Sequence, residues 1–217
     1  MARVLILAAL ASLMTLGPAS AASLAISSAD LTAATRTYGA PVTCTLTAVA
    51  DSYVDAVLAT TNFGTSGVLN VNPSAVGTER SFVRFDLTTC SPAIPADAIV
   101  QVAQLRLTVA ALVPASRTIA LRSATSAWTE AGVTWNTQPT VAGSVTASAG
   151  VTAGQTAGTV ITWTATSDVQ SFVTGAASNL GFRLSDSAEG AALGVVLSFS
   201  SREAASGHPQ LVITYVA

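Results

Sequence analysis

From Cys44 onward, apolar and polar residues alternate in one stretch after another. Ser81, Val83, Phe85 and Leu87 fall on one face of an extended chain, with Phe82, Arg84 and Asp86 on the other. Ala103, Leu105, Leu107 and Val109 alternate with Gln104, Arg106 and Thr108, and Ile119 and Leu121 with Thr118, Ala120 and Arg122. The rhythm returns at Ile161, Trp163 and Ala165, at Phe182 and Leu184 on either side of Arg183, and at Val195, Leu197 and Phe199. A period of two marks half-buried strands, because successive side chains leave a strand on opposite faces. The last run, 211–216, is apolar on both faces and is expected inside a sheet. Gly and Pro turn signals separate these runs. One helix is expected, over 168–174, with Ser167 as its cap, Asp168 in its first turn and Gly175 as its stop. The pattern predicts an all-β fold, an antiparallel β-sandwich of jelly-roll kind over residues 42–217.

Composition changes this picture in two ways. Half of the 217 residues are hydrophobic, only 9% are charged, and the mean hydropathy is +0.57. That invites a membrane reading, yet past residue 22 no run approaches the roughly 18 apolar residues a spanning helix needs. Lysine is absent: nine arginines face eleven acids. The balance argues against a nucleic-acid partner, whose phosphates call for a basic surface. The N-terminus reads as a secretory signal over residues 1–21: Arg3, an apolar stretch over 4–16, Pro18, and an Ala19-Ser20-Ala21 cleavage site. Residues 22–41 read as a flexible lead-in. The expected location is therefore secreted, extracellular or at the cell surface. Two lone cysteines in an exported chain, Cys44 and Cys90, pair most simply as a disulfide, the other reading being two buried thiols.

Four segments resemble a known family. They are Ala50-Asp51-Ser52-Tyr53-Val54-Asp55 with Thr61-Asn62-Phe63-Gly64; Ser81-Phe82-Val83-Arg84-Phe85-Asp86-Leu87; Trp128-Thr129-Glu130-Ala131-Gly132-Val133-Thr134-Trp135-Asn136-Thr137-Gln138-Pro139; and Phe199-Ser200-Ser201-Arg202-Glu203 ahead of Pro209-Gln210-Leu211-Val212-Ile213-Thr214-Tyr215. The chain resembles the DNRLRE domain, also called carbohydrate-binding module family 96, over residues 44–216. That resemblance implies a secreted or surface β-sandwich module, non-catalytic, of a kind often attached to polysaccharide lyases, hydrolases or adhesive proteins. Some such modules bind acidic polysaccharide such as alginate.

The candidate chemistry follows from residue types. Arg84, Arg106, Arg122 and Arg183 each sit on the polar face of a separate expected strand; on one sheet they would form a basic stripe, and guanidinium forks suit uronic carboxylates. The plainer alternative is pairing with neighbouring acids. Trp128 and Trp135 are either sugar-stacking platforms or plugs of a loop folded over the sandwich. Trp163 alternates with Ile161 into the core. Asp51, Asp55 and Asp86, with Asn62, are candidates for a structural calcium site or for turn caps. Glu130 and Glu203 could form a glycosidase pair at the right separation, but no nucleophile–base pattern or cofactor motif accompanies them, and no enzyme is expected. The expected partner is polysaccharide, bound weakly per contact. The second reading is a self-associating structural subunit of an extracellular fibre, sheath or matrix.

Overall fold

In the computed structural model the described residues are 37–192 and 194–217. The expected signal over 1–21 lies outside them, as does the lead-in up to residue 36. Residues from Ala40 to Ala217 form one compact unit. Eleven strands follow in chain order: β1 (Val42–Thr47), β2 (Ala50–Asp55), β3 (Val68–Val71), β4 (Glu79–Arg84), β5 (Ile99–Thr108), β6 (Arg117–Ser123), β7 (Ala147–Val151), β8 (Val160–Thr164), β9 (Phe182–Asp186), β10 (Leu197–Ser200) and β11 (Gln210–Val216). Among the described residues a single α-helix, α1 (Thr166–Val173), stands between β8 and β9.

A four-stranded sheet in the order β1-β11-β5-β8 packs on a five-stranded sheet in the order β2-β4-β9-β6-β7, and β3 pairs with β10 as a two-stranded ribbon. Every named strand pair is antiparallel. With β2, β3 and β10 set aside, the remaining strands run first, eighth, third, sixth in one sheet and second, seventh, fourth, fifth in the other. That is the order of a jelly roll, which closes two Greek keys into one sandwich. β11 lies inside its sheet, between β1 and β5, as its apolar run requires.

Inward-facing residues of both sheets build the core, with Trp163, Tyr215, Phe85, Phe182 and Phe199 its largest buried side chains. The Trp163 indole donates to the carbonyl of Ile119 across the sheets at 2.8 Å and meets Phe199 edge-on at 5.8 Å. A bulge adjusts β5. Thr214 pairs with Val102 but Tyr215 pairs with Val100, so Gln101 is the extra residue. The local twist this introduces turns Val100 inward and leaves Val102 40% exposed.

Cys44 of β1 and Cys90 form a disulfide, which ties an edge strand to the connection between β4 and β5. The helix differs from expectation at its start. It begins at Thr166, the N-cap position is Ala165, and no side chain caps it; Ser167 is already inside the first turn. The physical reason is tertiary: β8 runs almost directly into the helix, and the Thr166 hydroxyl accepts from the backbone of Ala103 at 3.0 Å. Gln170 then clamps α1 to β5 through the Val100 amide (2.7 Å) and the Ala98 carbonyl (3.0 Å). At the other end Gly175 adopts a positive φ of 72°, which ends the helix as expected. No helix among the described residues is long and apolar enough to cross a membrane.

Candidate functional site

The outward face of the five-stranded sheet carries four of the arginines among the described residues: Arg80, Arg84, Arg122 and Arg183. Along β4 the outward positions are Arg80, Phe82 and Arg84, the alternation of Glu-Arg-Ser-Phe-Val-Arg. Phe82 pairs in register with Arg183 of β9, and Arg183 in turn with Arg122 of β6. Three of the four arginines named from the sequence, Arg84, Arg122 and Arg183, therefore share this sheet. Arg106 does not: it lies on β5 in the other sheet, where it donates to Gln104 at 2.8 Å. Arg80 takes its place, and the period-two spacing to Arg84 was the available signal for it.

These arginines are not equivalent. The Arg80 guanidinium makes a bidentate pair with Glu189 at 2.7 and 2.8 Å, donates to Gln138 at 2.9 Å and lies 4.7 Å over the Trp135 ring. Arg84 stacks 5.6 Å over Trp128 and reaches its carbonyl. Arg183 and Arg122 have no ion-pair partner among the described residues. The Arg183 Nε is buried with no hydrogen-bond acceptor. Burial first, and then the neighbouring charge of Arg80, push Arg183 down to about 10, with Arg122 adding to the effect. Glu189, which is engaged by Arg80, acts in the opposite sense and holds the Arg183 value up.

The two tryptophans belong to a loop folded over the same face. Trp128 is only 6% exposed, packs on Phe82 with centroids 5.9 Å apart, and donates to Leu180 at 2.8 Å. With Ala50, Val54, Ala124 and Val133 it forms a second, smaller core outside the sandwich. Trp135 is half-buried at the edge of this cluster, beneath Arg80. The adjoining groove, lined by Ala127, Trp128, Thr129, Gly132, Val133 and Thr137, measures about 310 Å³. That is the small end of the range for enclosed ligands, so the half-buried arginine face beside it is the better candidate surface.

A separate polar knot joins the motif segments. Asp51 is 1% exposed; its amide donates to Glu130 at 2.8 Å and its carboxylate accepts from the Arg202 amide at 2.8 Å. The Arg202 guanidinium then reaches Glu130 at 2.7 Å and Glu203 at 3.6 Å. Asn62 donates to the carbonyls of Glu130 and Val133, both at 2.7 Å. Burial, followed by the charges of Glu203 and Glu130, raises Asp51 to about 8, against the lowering effect of the Arg202 amide.

Oxygens of Asp51, Glu130 and Glu203 lie within 4.8 Å of one another, and such a set could hold a metal ion. Arg202 already brings a cation to two of the three carboxylates. The aspartates expected to join Asp51 are elsewhere: Asp55 accepts from the Val57 amide in a turn, and Asp86 caps a 3-10 turn through Thr88. The Thr88 hydroxyl and amide hold Asp86 below its ordinary value. Glu130 and Glu203, weighed as a hydrolytic pair, are held by the same guanidinium.

A search of curated proteins finds no match. The model of carbohydrate-binding module family 96 matches residues 42–215, nearly the whole described sandwich. The chain, with its motif segments knotted at Asp51, Glu130 and Arg202 and its jelly-roll sheets, belongs to carbohydrate-binding module family 96.

Proposed function

We propose that the protein is a non-catalytic module that binds an acidic polysaccharide at or outside the cell surface, on the outward face of the five-stranded sheet. One observation carries the reading: Arg122 and Arg183 stand together without a carboxylate of their own, beside an Arg80 already matched to Glu189. A uronic-acid chain presents carboxylates in series, and guanidinium groups bind them with paired, charge-assisted hydrogen bonds. Arg80 and Trp135 border the surface on which such a chain would lie; Arg84 and Trp128 are read as holding the loop in place. Each contact is weak, so binding falls with salt and gains from multivalent display. The same reading takes residues 1–21 as an export signal and the Asp51 knot as a fold-locking element with Arg202 as its cation. Affinity electrophoresis through alginate is the test. Retardation of the native module that disappears in Arg122→Gln/Arg183→Gln supports the reading, and equal mobility of the two proteins rejects it.

The second reading, a subunit of an extracellular fibre or sheath, is favoured by β1, which stands at the end of its sheet and among the described residues pairs with β11 alone. An exposed edge accepts a strand from another copy. Removal of 22–41 with loss of polymers and intact glycan binding would favour that role.

A further inference from the structure

A cleft of about 400 Å³ opens where β7 and β8, end strands of the two main sheets, come together beside the start of α1. Its oxygen-bearing walls are Ser144 and Thr146 ahead of β7, Thr164 at the end of β8, and Thr166, Ser167 and Asp168 opening α1. The rest of the lining is aliphatic, and among the described residues no aromatic or basic side chain belongs to it. The walls meet because β8 turns Trp163 into the core and Thr164 outward, then runs almost directly into the helix.

Most of this polar chemistry is unmatched. The Thr166 hydroxyl accepts from the Ala103 amide at 3.0 Å. Among the described residues, the hydroxyls of Ser144, Thr146, Thr164 and Ser167 have no partner in the protein. The half-buried Asp168 carboxylate has neither a hydrogen bond nor an ion pair there. No side chain caps α1, so its first-turn N–H groups add donors at the same end.

The lining selects its ligand by charge. Asp168 is the only charged residue in it, and it repels a polyuronate. A metal ion would find one carboxylate, short of the roughly six to eight oxygens calcium takes, and would face the positive end of α1. An apolar ligand would strip water from the hydroxyls and the carboxylate without replacing it. A sugar ring fits: it is uncharged, its neighbouring hydroxyls donate to a carboxylate, and its oxygens accept from serine and threonine hydroxyls. The volume lies near the lower bound for ligand pockets, which suits a glycan end better than a long chain.

We propose that this cleft binds a neutral sugar residue, with two adjacent ring hydroxyls on the Asp168 carboxylate and further hydrogen bonds from Thr164 and Ser167. The inference draws on membership of a carbohydrate-binding family and uses no residue of the arginine face, so it stands or falls separately from the acidic-polysaccharide reading.

The test is an NMR titration of the full chain with cello-, xylo-, manno-, galacto- and laminari-oligosaccharides, with oligoalginate as the charged comparison. The expected result is a saturable shift of the Thr146, Thr164, Ser167 and Asp168 amides with at least one neutral sugar, and none there with oligoalginate. Asp168→Ala should weaken that binding at least about tenfold, the loss of a hydrogen bond to a charged group. Asp168→Asn, which keeps the shape of the helix start, should weaken it in the same direction, and Thr164→Val by less. Asp55→Asn, which alters a carboxylate outside the cleft, should bind as the native chain does. Absence of cleft shifts with every neutral sugar overturns the proposal. So does native affinity in both Asp168 variants, or a cleft response to oligoalginate alone.

Discussion

Arg122 and Arg183 face each other directly across β6 and β9, two guanidinium groups in neighbouring register positions. A like-charge pair at this spacing destabilises a sheet by about 0.2–1 kcal/mol. Arg122→Gln is therefore expected to leave Tm unchanged or slightly higher, most visibly at low salt, while retention on alginate drops. Arg106→Gln, on the other sheet, should keep full retention. Calorimetry and affinity electrophoresis on the same samples check both; retention lost equally in the two variants would dissolve the distinction.

Asp51 sets a pH dependence with a definite sign. Its folded value, about 8, lies above the ordinary 3.8. The folded state thus holds this proton more tightly than the unfolded chain does. The stabilising contribution is complete below the ordinary value and is lost as pH rises towards and through about 8. Asp51→Asn, which can still accept from Arg202, should flatten the decline of Tm across that window. Parallel profiles for the native and variant proteins would place the proton elsewhere.

The Cys44–Cys90 bridge closes a loop of sequence separation 46. In the chain-entropy model such a closure stabilises the fold by about 4 kcal/mol. Cys44→Ser/Cys90→Ser, or reduction of the native protein, should lower the denaturant midpoint by a corresponding amount without changing the far-ultraviolet spectrum at zero denaturant. A midpoint unchanged on reduction would count against that role.

The loop over β4 offers a contrast between its two tryptophans. Trp128 is buried in the outer core, so Trp128→Ala should cost about 3–5 kcal/mol. Trp135→Ala, at a half-buried ring, should cost clearly less and act mainly on glycan retention. Gly64→Ala probes the same loop from beneath: a Cβ there would meet the Glu130 carbonyl oxygen at 2.5 Å. Forcing that contact should destabilise by about 1–3 kcal/mol. Urea unfolding ranks the three.

Alternation along the chain was enough to reveal β5, β6, β8, β9 and the inner position of β11, because burial of one face imposes a period of two on each strand separately. It left β7 obscure: Ala147-Ser148-Ala149-Gly150-Val151 places small residues and a glycine where larger apolar ones would signal a strand. The bulge at Gln101 and the uncapped start of α1 were equally hidden, since each depends on what β5 packs against. Arg84, Arg122 and Arg183 could be assigned to polar faces from spacing, but their common sheet and the separation of Arg106 follow from strand order. The motif residues show the same division. Asp51, Asn62, Glu130 and Arg202 stood in the segments that carry the family resemblance, yet their hydrogen-bonded union exists only because β2, the tryptophan loop and the segment after β10 meet in the fold. Local periodicity records which side of each strand avoids water; it carries no record of which distant strand becomes its neighbour, because that is selected by the packing of whole sheets.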